Sequence, residues 1–207
     1  MIYLIGGPPK CWKTTLAKKL SKETWIPWVS TDTLQDVIKP YIPESDYTKL
    51  FPVNYQKGKS NDDKYSKYTL EDIKGAYITQ SKTVYKAVDM FVICEITDGN
   101  DYIIEGYHIT PELAEVLSSK YPDKIRSVFI VKTDVEKFIR NIKNSSTPND
   151  WIIAKTLNDE TYRKIADMIC EYGKYFIEES DRHGQMVLNI DEGFEIKIKE
   201  AIKILLK

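Results

Sequence analysis

The residues best placed to do chemistry stand near the N-terminus, where a short apolar run, Ile2 to Ile5, leads into Gly6-Gly7-Pro8-Pro9-Lys10-Cys11-Trp12-Lys13-Thr14-Thr15. From Gly7 the pattern G-x-x-x-x-G-K-[ST] is met at Gly7, Lys13 and Thr14, while Trp12 takes the second glycine position. A loop of this kind holds phosphate through converging backbone N–H groups and the positive end of the helix that follows. Gly7, Pro8, Pro9, Lys10, Cys11, Trp12, Lys13, Thr14 and Thr15 therefore form the candidate nucleotide-binding segment. Within it Lys13 would reach the β- and γ-phosphates and the Thr14 hydroxyl would help coordinate magnesium, with Thr15 beginning the helix.

Trp12 leaves alternatives open. A glycine there lets the backbone approach phosphate and adopt positive φ without steric cost. A tryptophan bears that cost unless it is helical, and its indole could cover the site, pack on a neighbouring helix or partly block the loop. Cys11 could have a lowered pKa beside Lys10 and a helix N-terminus, or be a plain loop thiol.

Two carboxylates follow strand-like runs. Asp32, in Ser30-Thr31-Asp32-Thr33, is the candidate general base for an acceptor hydroxyl, with N-cap of a helix from Thr33 to Ile38 as the bland alternative. Glu105, in Glu105-Gly106-Tyr107-His108, could hold magnesium-bound water or position the acceptor, or be a buried carboxylate bonded to amides. His108 could contact substrate or be structural. Charge spreading over transferred oxygens calls for a cation, and of Arg126, Arg140, Arg163 and Arg182 the best placed is Arg140, with 144–150 as a small lid.

The elements that must position these groups alternate. Strand patterns at Ile2 to Ile5, Pro27 to Ser30, Tyr102 to Glu105, Arg126 to Val131 and Met186 to Ile190 are separated by helical ones, which predicts an α/β fold with a parallel sheet. Ligands then gather at the strands' carboxyl ends. Thr69, Thr110-Pro111 and Asp134 read as helix starts. A helical rhythm runs from Ile73 to Val92, and another from Tyr162 to Phe176. Residues 40–68, with three prolines and scattered Tyr and Lys, read as an insertion covering the acceptor site, or as a surface loop.

Composition bounds the rest. A chain of 207 residues, 42% hydrophobic and without a low-complexity linker, reads as one domain. Thirty basic residues against thirty-one acidic give a net charge of −1, so nothing global points to nucleic acid or an anionic membrane. Three cysteines without metal-ligand spacing suit reduced thiols, and no apolar run approaches membrane-spanning length, so a soluble cytoplasmic protein is expected. Oligomeric state is not legible.

Together, Gly6 to Thr14, Ser30-Thr31-Asp32-Thr33, Ile103 to His108 with Pro111, and Phe129 to Asp134 resemble the adenylate-kinase-like P-loop kinases of small molecules. Within that group they resemble the 2-phosphoglycerate kinase type, which has a similar threonine-aspartate after its second strand and an acid-glycine-x-histidine after its third. The resemblance implies a three-layer P-loop NTPase fold with strand order 2-3-1-4-5, ATP and Mg2+ as cofactors, and γ-phosphoryl transfer to a small-molecule hydroxyl or phosphate. A nucleoside or nucleotide kinase, and a nucleotide-binding regulatory protein without catalysis, remain as alternatives. The chain departs from the pattern at Trp12 and in lacking paired lid arginines.

Overall fold

The computed structural model describes residues 1–56, 58–144, 150–191 and 193–207. Five parallel strands, β1 (Ile2–Gly6), β2 (Trp28–Ser30), β3 (Tyr102–Glu105), β4 (Ile125–Val131) and β5 (Val187–Asn189), form one sheet in the order β2-β3-β1-β4-β5. The helices described are α1 (Lys13–Thr24), α2 (Thr31–Ile38), α3 (Tyr47–Leu50), α4 (Pro52–Tyr55), α5 (Asn61–Lys67), α6 (Leu70–Thr83), α7 (Tyr85–Thr97), α8 (Pro111–Lys120), α9 (Val135–Lys143), α10 (Trp151–Lys155), α11 (Asp159–Arg182) and α12 (Phe194–Leu205).

Strand side chains alternate between two cores, as the period of two requires. Tyr3, Ile5, Ile103, Val128 and Ile130 pack with Leu16, Ala17 and Leu20 of α1 and with Ile198, Ala201 and Ile202 of α12. Ile2, Leu4, Ile104, Phe129 and Val131 point the other way, towards α7, α8, α9 and α11. Burial of both faces explains why the strands read as continuous apolar runs rather than as alternating ones.

The expected start signals are used. Thr69 and Asp72 form a reciprocal capping box at α6, Thr110 caps α8 ahead of Pro111, and Asp134 caps α9. Two expectations are corrected. The rhythm from Ile73 to Val92 is not one helix, because Val84 (φ −92°, ψ −7°) separates α6 from α7 and the neighbouring Thr83 hydroxyl donates to Leu50 O at 2.7 Å. Helix α1 begins at Lys13 rather than Thr15.

Segment 40–68 is built from short helices fastened to the body. Phe51 is fully buried, Gln80 Oε1 accepts from Val53 N (2.9 Å), and Gln56 Nε2 donates to Asp72 O (2.9 Å). At its far end Asn61 Nδ2 donates to Trp151 O and to the Thr156 hydroxyl, and Asp62 accepts from Leu157 N and Asn158 N. No helix among the described residues is long and apolar enough to cross a membrane.

Candidate active site at the carboxyl ends of β1, β2 and β3

The loop after β1 keeps the backbone shape of a phosphate cradle. Gly7 adopts φ 135°, and a Cβ there would fall 2.1 Å from Ile130 O, so the position requires glycine. Lys10 (φ 62°) and Trp12 (φ 66°, ψ 19°) are both left-handed. Trp12 thus takes the conformation that the missing glycine would favour, at a cost of roughly 1–2 kcal/mol. Pro8 and Pro9 have no N–H to offer, so any donors in the loop are the backbone groups around them.

Lys13 is buried and its Nζ donates to Pro8 O at 2.7 Å, bracing the loop across its own turn. The Thr14 hydroxyl donates to Glu105 Oε1 at 2.9 Å, which ties the start of α1 to the end of β3. Glu105 is itself buried; burial raises its carboxyl pKa, while Lys13 and the Thr14 hydroxyl act in the opposite direction. Cys11 is fully buried, and burial pushes its thiol up, so the reading of a lowered pKa is corrected: desolvation outweighs the nearby lysines.

Asp32 lies in the first turn of α2, whose N-cap is Ser30, with its hydroxyl oxygen accepting from Asp32 N at 3.2 Å. The capping alternative for Asp32 is therefore corrected, and its carboxylate, with the side chain 67% accessible, is left open at the crevice. Surrounding protein raises its pKa against the pull of Lys13, with Asp36 adding to the rise. Its Oδ1 stands 3.8 Å from His108 Nδ1.

His108 is fully buried and built into a polar network. Its Nε2 lies 3.0 Å from Gln35 Oε1, an atom that only accepts, so Nε2 carries the proton and Nδ1 accepts from the Thr31 hydroxyl at 2.8 Å. Burial and the charge of Lys13 lower its pKa to about 3, which keeps the ring neutral. Gln80 Nε2 donates to Gln35 Oε1 (2.7 Å) and Asn54 Oδ1 (2.8 Å) and lies 2.8 Å from the Tyr107 hydroxyl. Gly106 (φ 153°) makes the turn possible, since a Cβ there would lie 1.7 Å from Thr31 Oγ1.

Beside the loop opens a cavity of about 660 Å³, large enough for a nucleotide, lined by Lys10, Trp12, Lys13, Thr14 and Thr15 together with residues of other elements. Lys132, Asn141, Asp191 and Phe194 line it as well, and sequence reasoning assigned none of them a role. Lys132 was open to discovery because it is the first residue past β4, where a parallel sheet delivers ligand groups; the others sit in helix and loop positions with no motif. Burial lowers the pKa of Lys132, and its Nζ lies 5.3 Å from the Trp12 ring centroid.

Arg140 is exposed on α9, which turns Phe138, Asn141 and Ile142 rather than Arg140 to the cavity. Arg163 pairs with Glu136 at 2.6 Å. Of the lid segment 144–150, residues 145–149 lie outside the described residues, but Asn144 and Asp150 on either side both line the cavity. Asp150 is buried, accepts from Ile152 N and pairs with Lys10 Nζ at 2.8 Å, which joins the phosphate loop to α10.

A glycine-bearing loop between β1 and α1, a lysine-threonine pair at the helix start and a parallel sheet in the order 2-3-1-4-5 define a P-loop NTPase architecture. No protein-family model matches the chain. It is similar to 2-phosphoglycerate kinase of Methanococcus maripaludis strain C7, 24% identical over 208 residues, covering 98% of this chain and 62% of that protein. The 2-phosphoglycerate kinase of Methanopyrus kandleri is 25% identical over 196 residues, covering 93% of this chain and 58% of that protein. The chain thus spans about three fifths of the length of these relatives, 62% and 58%. A shikimate kinase structure from Bacteroides thetaiotaomicron aligns at 12% identity and a TM-score of 0.49, covering 98% of this chain and 94% of that one.

Proposed function

We propose that the chain is an ATP- and Mg2+-dependent phosphotransferase that moves the γ-phosphoryl group to a hydroxyl or phosphate of a small molecule. The observation that carries this reading is the convergence of Lys13, the Thr14–Glu105 pair at 2.9 Å and Asp32 at neighbouring strand ends. Thr14 and Glu105 offer a hard oxygen set that suits a magnesium ion shared with phosphate oxygens. Among the described residues no group of three or more His, Cys, Asp or Glu forms a metal cage of its own, and Mg2+ at phosphates needs none. When bound, Mg2+ supplies charge that offsets the negative phosphate oxygens.

The protein's own groups divide the remaining work. Loop amides and Lys13 hold the β- and γ-phosphates, with Lys13 exchanging Pro8 O for a phosphate oxygen. Asp32 accepts the acceptor's hydroxyl proton as the new O–P bond forms and the bond from γ-phosphorus to the β,γ-bridging oxygen breaks, releasing ADP. Burial raises its pKa, which makes the carboxylate a stronger base. Arg140, exposed on α9, is proposed as the lid cation. Segment 40–68 covers the acceptor. A balanced charge and free cysteines favour a small acceptor and a cytoplasmic setting. Calorimetry with ATP and Mg2+, run beside a transfer assay on small hydroxyl compounds, tests the reading: binding with transfer supports it, and binding without transfer to any acceptor favours a regulatory protein.

A further inference from the structure

We infer that Trp12, in the place of a loop glycine, forms with Phe194 an aromatic wall that binds the base of the nucleotide; this rests on the nucleotide-binding reading above. A bulky side chain in left-handed backbone is strained, and such strain persists where surrounding structure fixes it. Here the indole is fixed. Its ring centroid lies 4.7 Å from that of Phe194 at 46°, and Lys132 Nζ lies 5.3 Å from the ring. It is nonetheless 42% exposed, and both aromatics line the same cavity as Lys13, Thr14 and Thr15.

That arrangement places apolar ring surface beside the phosphate cradle, within one 660 Å³ space, without filling it. Aromatic faces attract any nucleobase, because every base presents a π-face, so the wall adds affinity without choosing between ATP and GTP. The strained tryptophan then serves binding rather than obstructing it.

The test compares two ligands that share phosphates but not a base: ATP with Mg2+, and tripolyphosphate with Mg2+, each titrated calorimetrically. Trp12→Ala is expected to weaken ATP about tenfold to hundredfold and GTP equally, leaving tripolyphosphate within about twofold. Phe194→Ala, which leaves the loop itself untouched, is expected to weaken ATP in the same sense, and Trp12→Phe to retain most of the affinity. Equal loss of ATP and tripolyphosphate on Trp12→Ala would mean that the residue acts on loop shape, and unchanged or tighter ATP would mean that it obstructs the site; either overturns the inference but leaves nucleotide binding intact. If Trp12→Ala does not fold, the Phe194→Ala titration decides alone, unchanged ATP affinity overturning the inference. Failure of the unaltered protein to bind either ligand would instead remove the nucleotide site itself, and the inference with it.

Discussion

The loop side of the crevice comes from one continuous segment, Gly7 to Thr15, whereas the Asp32 side is assembled from α2, α4, α6 and the turn after β3. The first works through backbone conformation and a lysine braced at 2.7 Å on its own loop. The second works through neutral side chains, Gln35, Asn54, Gln80, Tyr107 and His108, bonded to one another beneath an open carboxylate. One side thus offers main chain with a braced lysine. On the other, the Asp32 carboxylate is held over a buried network that carries no charge of its own.

Substitutions should separate the two sides. The largest expected effect is Asp32→Asn, which should lower kcat about 10²–10⁴-fold while ATP affinity, measured calorimetrically, stays within about threefold. Lys13→Ala should instead lower turnover about 10²–10³-fold and weaken ATP together, because the proposed phosphate contact would be made in ground and transition states alike. Should Asp32→Asn weaken ATP as strongly as Lys13→Ala does, the division into two sides is wrong.

Gln80→Leu should destabilise the fold by about 1–3 kcal/mol, seen in denaturant unfolding, since it removes the acceptor of the half-buried Val53 N and one of the donors to Gln35 Oε1, yet ATP affinity should hold. A further effect concerns pH. The folded-state pKa of His108 lies at about 3, below its ordinary value, so the unfolded chain binds the extra proton between roughly pH 3 and pH 6.5. Stability is therefore lost as pH falls through that window, by up to about 1.4 kcal/mol per unit. His108→Gln should flatten that decline in thermal melts from pH 6.5 to 4; an unchanged slope would mean that His108 is not the group responsible.

The same contrast explains what could be read from sequence. Strand runs such as Arg126 to Val131 lie within a residue or two of their observed bounds, because burial on both faces leaves a contiguous apolar signature. Capping residues Thr69, Thr110 and Asp134 act locally and were equally legible. The network under Asp32 was not, because Gln35 and His108 meet across 73 positions and Gln80 and Gln35 across 45, and nothing local marks an amide that will be buried. The break at Val84 was hidden for a related reason: the apolar rhythm continues through it, and the tie from Thr83 to Leu50 comes from the insertion. Trp12 could not be placed because its propensity opposes the left-handed backbone that the loop imposes on it.

The most direct test of the central claim, that these two sides form one phosphoryl-transfer site, is to follow the labelled γ-phosphate of ATP, with Mg2+, into a panel of small hydroxyl compounds and their phosphates. The account predicts a labelled product with at least one acceptor, lost in Asp32→Asn. Bound ATP that labels nothing across the panel would contradict it.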